Sequence, residues 1–182
     1  MSEDSDEALV QRCRRGDRRA FEALVVRYQR PVYNAALRML RNPEDARDVA
    51  QVTFLKAYER LGDFNPQFRF YSWLYRIALN ESINHGKRRR SHEELSGNER
   101  DAADGPEQAL GLAQLDDALQ EAIMSLSEDN RTLIVLHYVL GSSYEDMAVT
   151  LDIPAKTVKS RLFSARQKLK DSPLLAAWLE RA

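Results

Sequence analysis

The side chains in this sequence that could do chemistry fall into three lines. Along residues 155–170, Lys156, Lys159, Ser160, Phe163, Arg166 and Lys170 lie opposite an apolar line of Val158, Leu162, Ala165 and Leu169, spaced 4, 3 and 4. Cations for phosphates and short polar or apolar groups for base edges are what a helix needs to read a duplex from its major groove. Phe163 among those cations is poor surface chemistry unless a thymine methyl or sugar covers it, or it folds onto its own domain. A second line occupies residues 69–87. At about 100° per residue, Trp73, Arg76, Asn80, Asn84 and Lys87 fall within about 80° of one another, and the line runs on into Arg88, Arg89 and Arg90. Amides hydrogen-bond base edges and aromatic faces accept stacking, so this line suits separated strands, although both asparagines also suit a solvated surface. Of the aromatic residues leading into it, Phe70 reads as core, while Phe64 and Phe68 fit either core or stacking. The third line, Asp45, Asp48, Val52, Leu55 and Glu59, sets two apolar residues among carboxylates. A partner-binding ridge has this composition, and so does a mixed solvent face.

Catalysis finds little to work with. His85, His92 and His137 are scattered, no glycine-rich phosphate loop is present, and no metal-ligand spacing occurs. Asp116 and Asp117 are adjacent, so on a helix they diverge by about 100° and cannot act as a pair. His137 reads as a core or boundary histidine. The single cysteine, Cys13, excludes an internal disulfide and a cysteine zinc site, and fits simple burial better than redox sensing. No enzymatic activity, cofactor or metal is expected.

The elements that must position these lines are nearly all helices. With 43% hydrophobic residues and only 7 Gly and 6 Pro in 182, an all-α architecture with real cores is expected. Helical periodicity runs over residues 4–15, ending at Gly16; 17–41, which Pro31 should kink or break; 44–61, with Asn42 and Pro43 starting it; and 69–87. Residues 62–68 read as a loop. Residues 91–112 carry turn chemistry at Ser96-Gly97-Asn98 and Asp104-Gly105-Pro106, and an acidic flexible linker is placed there. Periodicity then resumes over 113–125, 128–139, 144–151 and 155–170. Ser143 caps a short helix, Asp152-Ile153-Pro154 makes a tight turn, and the longer basic helix follows, which spells a helix-turn-helix.

The division expected is therefore 1–90 as an N-terminal helix bundle, 91–112 as linker, and 113–182 as the helix-turn-helix domain. A net charge of −1 hides segregation: six acids against one Arg over 91–108, and six bases with no acid over 155–170. The acidic start, with no apolar run behind it, predicts neither a signal peptide nor membrane insertion, hence a cytoplasmic protein.

Taken together, these residues resemble the extracytoplasmic-function branch of the sigma-70-like RNA polymerase sigma factors. Residues 45–54, Asp-Ala-Arg-Asp-Val-Ala-Gln-Val-Thr-Phe, look like the family's core-binding helix. Residues 70–80 look like its promoter-melting helix, and residues 143–166 like its −35-reading motif. The resemblance covers roughly 17–171, in order. It implies that Asp45, Asp48, Gln51, Val52 and Leu55 meet the β′ clamp helices of core RNA polymerase. It implies that Phe64, Phe68, Arg76, Asn80, Asn84, Lys87, Arg88 and Arg89 serve the −10 element, with Asn80 at the base-reading position and Trp73 structural. Lys156, Lys159, Ser160, Phe163 and Arg166 then serve the −35 element, and the β flap is a second polymerase contact. Relatives are usually restrained by an anti-sigma factor. In this sequence Arg47 stands where an acid is common, Thr53 adds a β-branch, Lys159 replaces a frequent Arg, and Ser164 stands where a base is often found. The acidic linker, with Glu93, Glu94, Glu99 and Asp101, suits the cationic RNA channel of polymerase. The rival is a conventional helix-turn-helix regulator binding duplex DNA without polymerase, which would leave the melting helix without a purpose.

Overall fold

The computed structural model describes residues 4–96 and 112–173. All regular structure among them is helical: α1 Asp6–Arg14, α2 Arg18–Leu40, α3 Pro43–Glu59, α4 Phe70–Ser96, α5 Leu112–Ser125, α6 Glu128–Ile134, α7 Tyr144–Leu151 and α8 Ala155–Lys170. A 3-10 turn, Leu61–Asp63, follows α3, and a π turn, Val135–Val139, continues α6.

The boundaries follow from local chemistry. Gly16 adopts φ 92°, and its N–H and that of Asp17 reach back to the Cys13 and Arg12 carbonyls at 2.9 and 3.1 Å, closing α1 with a left-handed cap. Asp17 then accepts from Arg19 and Ala20 to start α2. Asn42 accepts from Glu44 and Asp45, and Pro43 takes the first position of α3, where its missing N–H is harmless.

Helices α1 to α4 form one bundle, in which Leu24, Val32, Ala36, Val49, Leu74 and Ala78 are buried. The later helices form a second around Leu133, Leu136, Met147, Val158 and Leu162. Each such leucine or valine stabilises its bundle by about 1.5–3 kcal/mol through removal from water. The bundles also touch: α2 packs on α5 and the π turn, and α4 packs on α7.

Two expectations change, and a third, that Pro31 kinks or breaks α2, loses its second alternative. Pro31 does not break α2, because Val32, Ala35 and Ala36 beyond it are as buried as Leu24 before it, and packing on both sides holds one helix. Helix α4 continues to Ser96, past the linker start expected at 91, since the sequence meets no breaker before Gly97. The stretch 62–68 is not wholly loop: Gly62 and Asp63 belong to the 3-10 turn. Glu99 and Asp101 of the acidic linker and the apolar tail Leu174–Leu179 lie outside the described residues, as do the side chains of Glu93 and Glu94.

Candidate nucleic-acid and polymerase interfaces

The helix-turn-helix forms as its spacing requires. Ser143 accepts from the Asp146 amide at 3.1 Å and starts α7. Asp152 turns the chain at φ 55°, with the Ile153 N–H on the Ala148 carbonyl at 3.1 Å. Pro154 then precedes α8, whose inner face buries Val158, Leu162 and Ala165. Lys156, Lys159, Ser160 and Phe163 all stand exposed on the outer face, and Phe163 keeps 66% of its surface open. It does not fold back onto its own domain. Arg166 is different: it is half-buried, with its guanidinium 5.4 Å from the centre of the exposed Tyr138 ring.

On α4, Arg76, Asn80, Asn84, Lys87 and Arg88 are exposed and in line, whereas Arg89 is half-buried. Phe68 projects from the preceding loop at 48% exposure. Phe64, expected beside it on the strand-reading surface, is instead buried. It packs against Phe70 and Trp73 with ring centres 5.8 and 5.4 Å away, because the 3-10 turn swings residue 64 inward. Trp73 is accordingly part of this aromatic cluster.

Several cations of the α4 line already face carboxylates of the second bundle. Glu128 meets Lys87 at 3.3 Å and also pairs with Arg90. Burial alone would raise the Glu128 carboxyl, but hydrogen bonds from Arg90 and Lys87 outweigh it and hold the group below the usual carboxylate range. Arg76 lies 4.0 Å from Asp152, and Arg69 lies 3.8 Å from Asp146. The Tyr71 hydroxyl donates to Asp146 at 2.8 Å; burial, then this carboxylate, push its phenol up to about 12. A cleft of about 210 Å³ remains between α4 and the second bundle, with Asn80 and Arg76 facing Asp129 and Arg161.

The α3 ridge is exposed at Asp48, Gln51, Val52 and Leu55, the last at 58%. Tyr58, one turn on and 48% exposed, extends it; the spacing of three from Leu55 carries that signal in the sequence. Asp45 departs from expectation. It is drawn inward, at 2.6 Å from Arg89 and 3.1 Å from His85, and so fastens α3 to α4. Thr53 is buried with its hydroxyl on the Val49 carbonyl at 2.7 Å, which satisfies the one polar atom its β-branch brings inside. Arg47 pairs with Glu44 on the surface. Among the described residues, no cluster of three or more His, Cys, Asp or Glu could hold a metal ion, and no helix is long and apolar enough to cross a membrane.

An outward helix behind a tight turn, with an amide and cation line on a separate helical bundle, is the chemistry of a DNA-binding protein. Comparison with known proteins agrees. Residues 24–92 match sigma-70 region 2, and residues 116–169 match sigma-70 region 4. The chain is 36% identical to the RNA polymerase sigma-H factor of Pseudomonas aeruginosa, over 96% of this chain and 98% of that protein. It is 38% identical to the ECF RNA polymerase sigma-E factor of Escherichia coli, over 96% and 99%. Among solved structures it is similar to CnrH in complex with the cytosolic domain of CnrY, with a TM-score of 0.71, 30% identity, and 93% and 100% of the two chains covered. It is also similar to the sigma factor RpoE in complex with the anti-sigma factor NepR from Bartonella quintana, with a TM-score of 0.69, 28% identity, and 86% and 96% covered. The chain belongs to the extracytoplasmic-function branch of the sigma-70 family. It is therefore a transcription initiation factor and not an enzyme, and it directs core RNA polymerase to specific promoters.

Proposed function

We propose a division of labour in which the α1–α4 domain binds polymerase and opens the −10 element, and the α5–α8 domain reads the −35 element, joined by the acidic stretch between them. Asp48, Gln51, Val52 and Leu55, with Tyr58, form the surface for the β′ clamp helices, and Asp45 holds that helix in place. Phe68 stacks on an unpaired base, Asn80 reads a base edge, and Arg76, Asn84, Lys87 and Arg88 track the strand, with Arg89 bracing the helix end. Lys156, Lys159, Ser160 and Phe163 face the −35 duplex. Arg166 supports α8 against Tyr138, and the β flap takes the far side of this domain. With Lys at 159 rather than Arg, bidentate guanine recognition is less available there, so the promoter sequence is not transferable from relatives.

The observation that carries this division is the exposed line Phe68, Arg76, Asn80, Asn84 and Lys87 on one bundle, with the exposed Lys156, Lys159 and Phe163 on the other. The Bartonella quintana relative is bound to an anti-sigma factor, which supports an inhibitor of that class as a partner here. Family membership supports a cytoplasmic site of action and a part in a stress or envelope response. The test is run-off transcription from fragmented genomic DNA with core polymerase. New discrete starts are expected only when the protein is present, and Phe68→Ala should lower strand opening by about 1–3 kcal/mol of lost stacking. Tight duplex binding by the protein alone, with no new starts, would favour the ordinary regulator.

A further inference from the structure

Helix α1 lies outside the residues that match region 2, which begin at 24. Its Arg14 nevertheless reaches the turn after α3. The guanidinium donates to the Leu61 carbonyl through Nε at 3.2 Å and Nη2 at 3.1 Å, to the Gly62 carbonyl at 3.3 Å, and to the Phe64 carbonyl. It also lies 6.0 Å from the centre of the Phe64 ring. One planar fork thus gathers three carbonyls that converge where the 3-10 turn ends and the chain becomes extended. The Leu61 carbonyl also takes the Phe64 N–H at 3.4 Å, and like dipoles pointing together repel, so a cation at the focus of the three carbonyls holds this backbone shape.

Arg14 is itself held. Leu9 and Val10 are buried, and the Asp6 carboxylate ties α1 to α2 by taking Arg27 and the Tyr28 hydroxyl, each at 2.5 Å. Tyr28 then packs on Phe70 and Tyr75, at 5.8 and 6.2 Å, beside the start of α4. The segment from Asn65 to Phe68 is consequently a short tip on a fastened base. Asn65 stiffens it by accepting from the Gln67 amide at 3.0 Å through its side chain and from the Phe68 amide at 3.1 Å through its carbonyl.

We propose that Arg14 is a positioning residue for promoter opening: it touches no DNA, but it fixes the base of the loop that presents Phe68 to the −10 strand. The proposal rests on the −10 role assigned above to that loop. A loop set in advance spends no binding energy on ordering itself when a base leaves the stack, and that saving counts most where the duplex still has to be opened.

The experiment uses core polymerase with the full chain on one promoter found by the run-off assay, either fully duplex or premelted across the −10 element. Permanganate reactivity of unpaired thymines reports opening, transcript yield reports initiation, and core binding and thermal melting are followed in parallel. Arg14→Gln is expected to lower opening of the duplex promoter roughly tenfold, the size of losing a charge-assisted contact, while leaving core binding unchanged. On the premelted promoter most of the loss should disappear. Arg14→Lys keeps the charge and stem but cannot span three carbonyls. It should remain defective on duplex, and it serves as the measured variant if the glutamine unfolds α1. Wild-type opening by both variants, or an equal loss on duplex and premelted DNA, overturns the proposal. Phe68→Ala separates the two levels. If it opens duplex normally, the loop's −10 role fails and the role of Arg14 with it; if it is defective while the Arg14 variants are not, the Arg14 inference alone fails.

Discussion

Arg14 in the first half of the molecule and Arg131 in the second each gather several backbone carbonyls, and the two are used differently. In the first bundle Arg14 braces an irregular loop within its own domain. In the second, Arg131 closes the end of α5, donating to the Ile123, Met124 and Leu126 carbonyls at 3.2, 2.6 and 3.1 Å, and it also reaches the Met39 carbonyl of α2 at 3.1 Å. Burial, followed by the nearby Arg90, pulls the Arg131 guanidinium below its usual range, although Glu128 partly offsets this. The contrast extends to the rest of each half. The first bundle is laced by long-range polar pairs: Asp6 with Tyr28, Asp45 with Arg89, and Lys56 with Glu81 at 2.6 Å. The second relies on an aliphatic core and local caps at Ser127 and Ser143. On the proposed division of labour, the first bundle's surface for separated strands must hold an irregular loop against a helix, and directional bonds specify that. A surface for duplex needs one straight helix on a turn, which packing and caps already supply.

The comparison can be broken most directly at the cores. Leu162→Ala, at a fully buried site, should destabilise the second bundle by about 2–5 kcal/mol and split the calorimetric transition, leaving α1–α4 folded to a higher temperature. A single transition moving as a whole would mean the halves do not differ in how they are held. The polar lacing is tested at Glu81, which is 8% exposed. Glu81→Leu alone should lose about 1–3 kcal/mol by stranding Lys56, whereas Glu81→Leu with Lys56→Met should recover most of it in urea unfolding. If the double variant is as unstable as the single, the pair is not what Glu81 contributes. The smallest effect lies between the halves. The lowered folded value of Glu128 means that its contribution is present above its ordinary 4.5 and is lost as pH falls below 4.5 through the folded value. The melting-temperature difference between wild type and Glu128→Gln should therefore shrink below that pH and stay constant above it.

Elements whose chemistry is local were legible in the sequence. Gly16, Asn42, Ser143 and the turn at Asp152 each did what its type and spacing require, because caps and turns involve neighbours within about six residues. What escaped depended on distant partners. Nothing near Phe64 tells that its ring turns inward while that of Phe68 stays out; the 3-10 turn decides it. Asp45 reads as one of three equal carboxylates until α4 brings His85 and Arg89 against it. Arg14 sits 47 to 50 positions from the carbonyls it gathers, inside a run of surface arginines that shows no sign of the difference.

The carboxylates that face α4 have a thermodynamic consequence for promoter binding. Lys87, Arg90 and Arg76 have anionic partners in Glu128 and Asp152, so under the proposed −10 role engaging a strand is an exchange of one anion for another. Added electrolyte weakens the phosphate contacts and the internal pairs together, and the two losses oppose each other in the measured affinity. The logarithm of the binding constant should therefore fall less steeply with the logarithm of salt than the number of cations implies. Glu128→Gln should steepen that slope by about 0.7 for each cation it frees, read from titrations of the polymerase complex with −10 single strand. Under that role, a chain built this way would buffer its own hold on DNA against swings in cellular ionic strength.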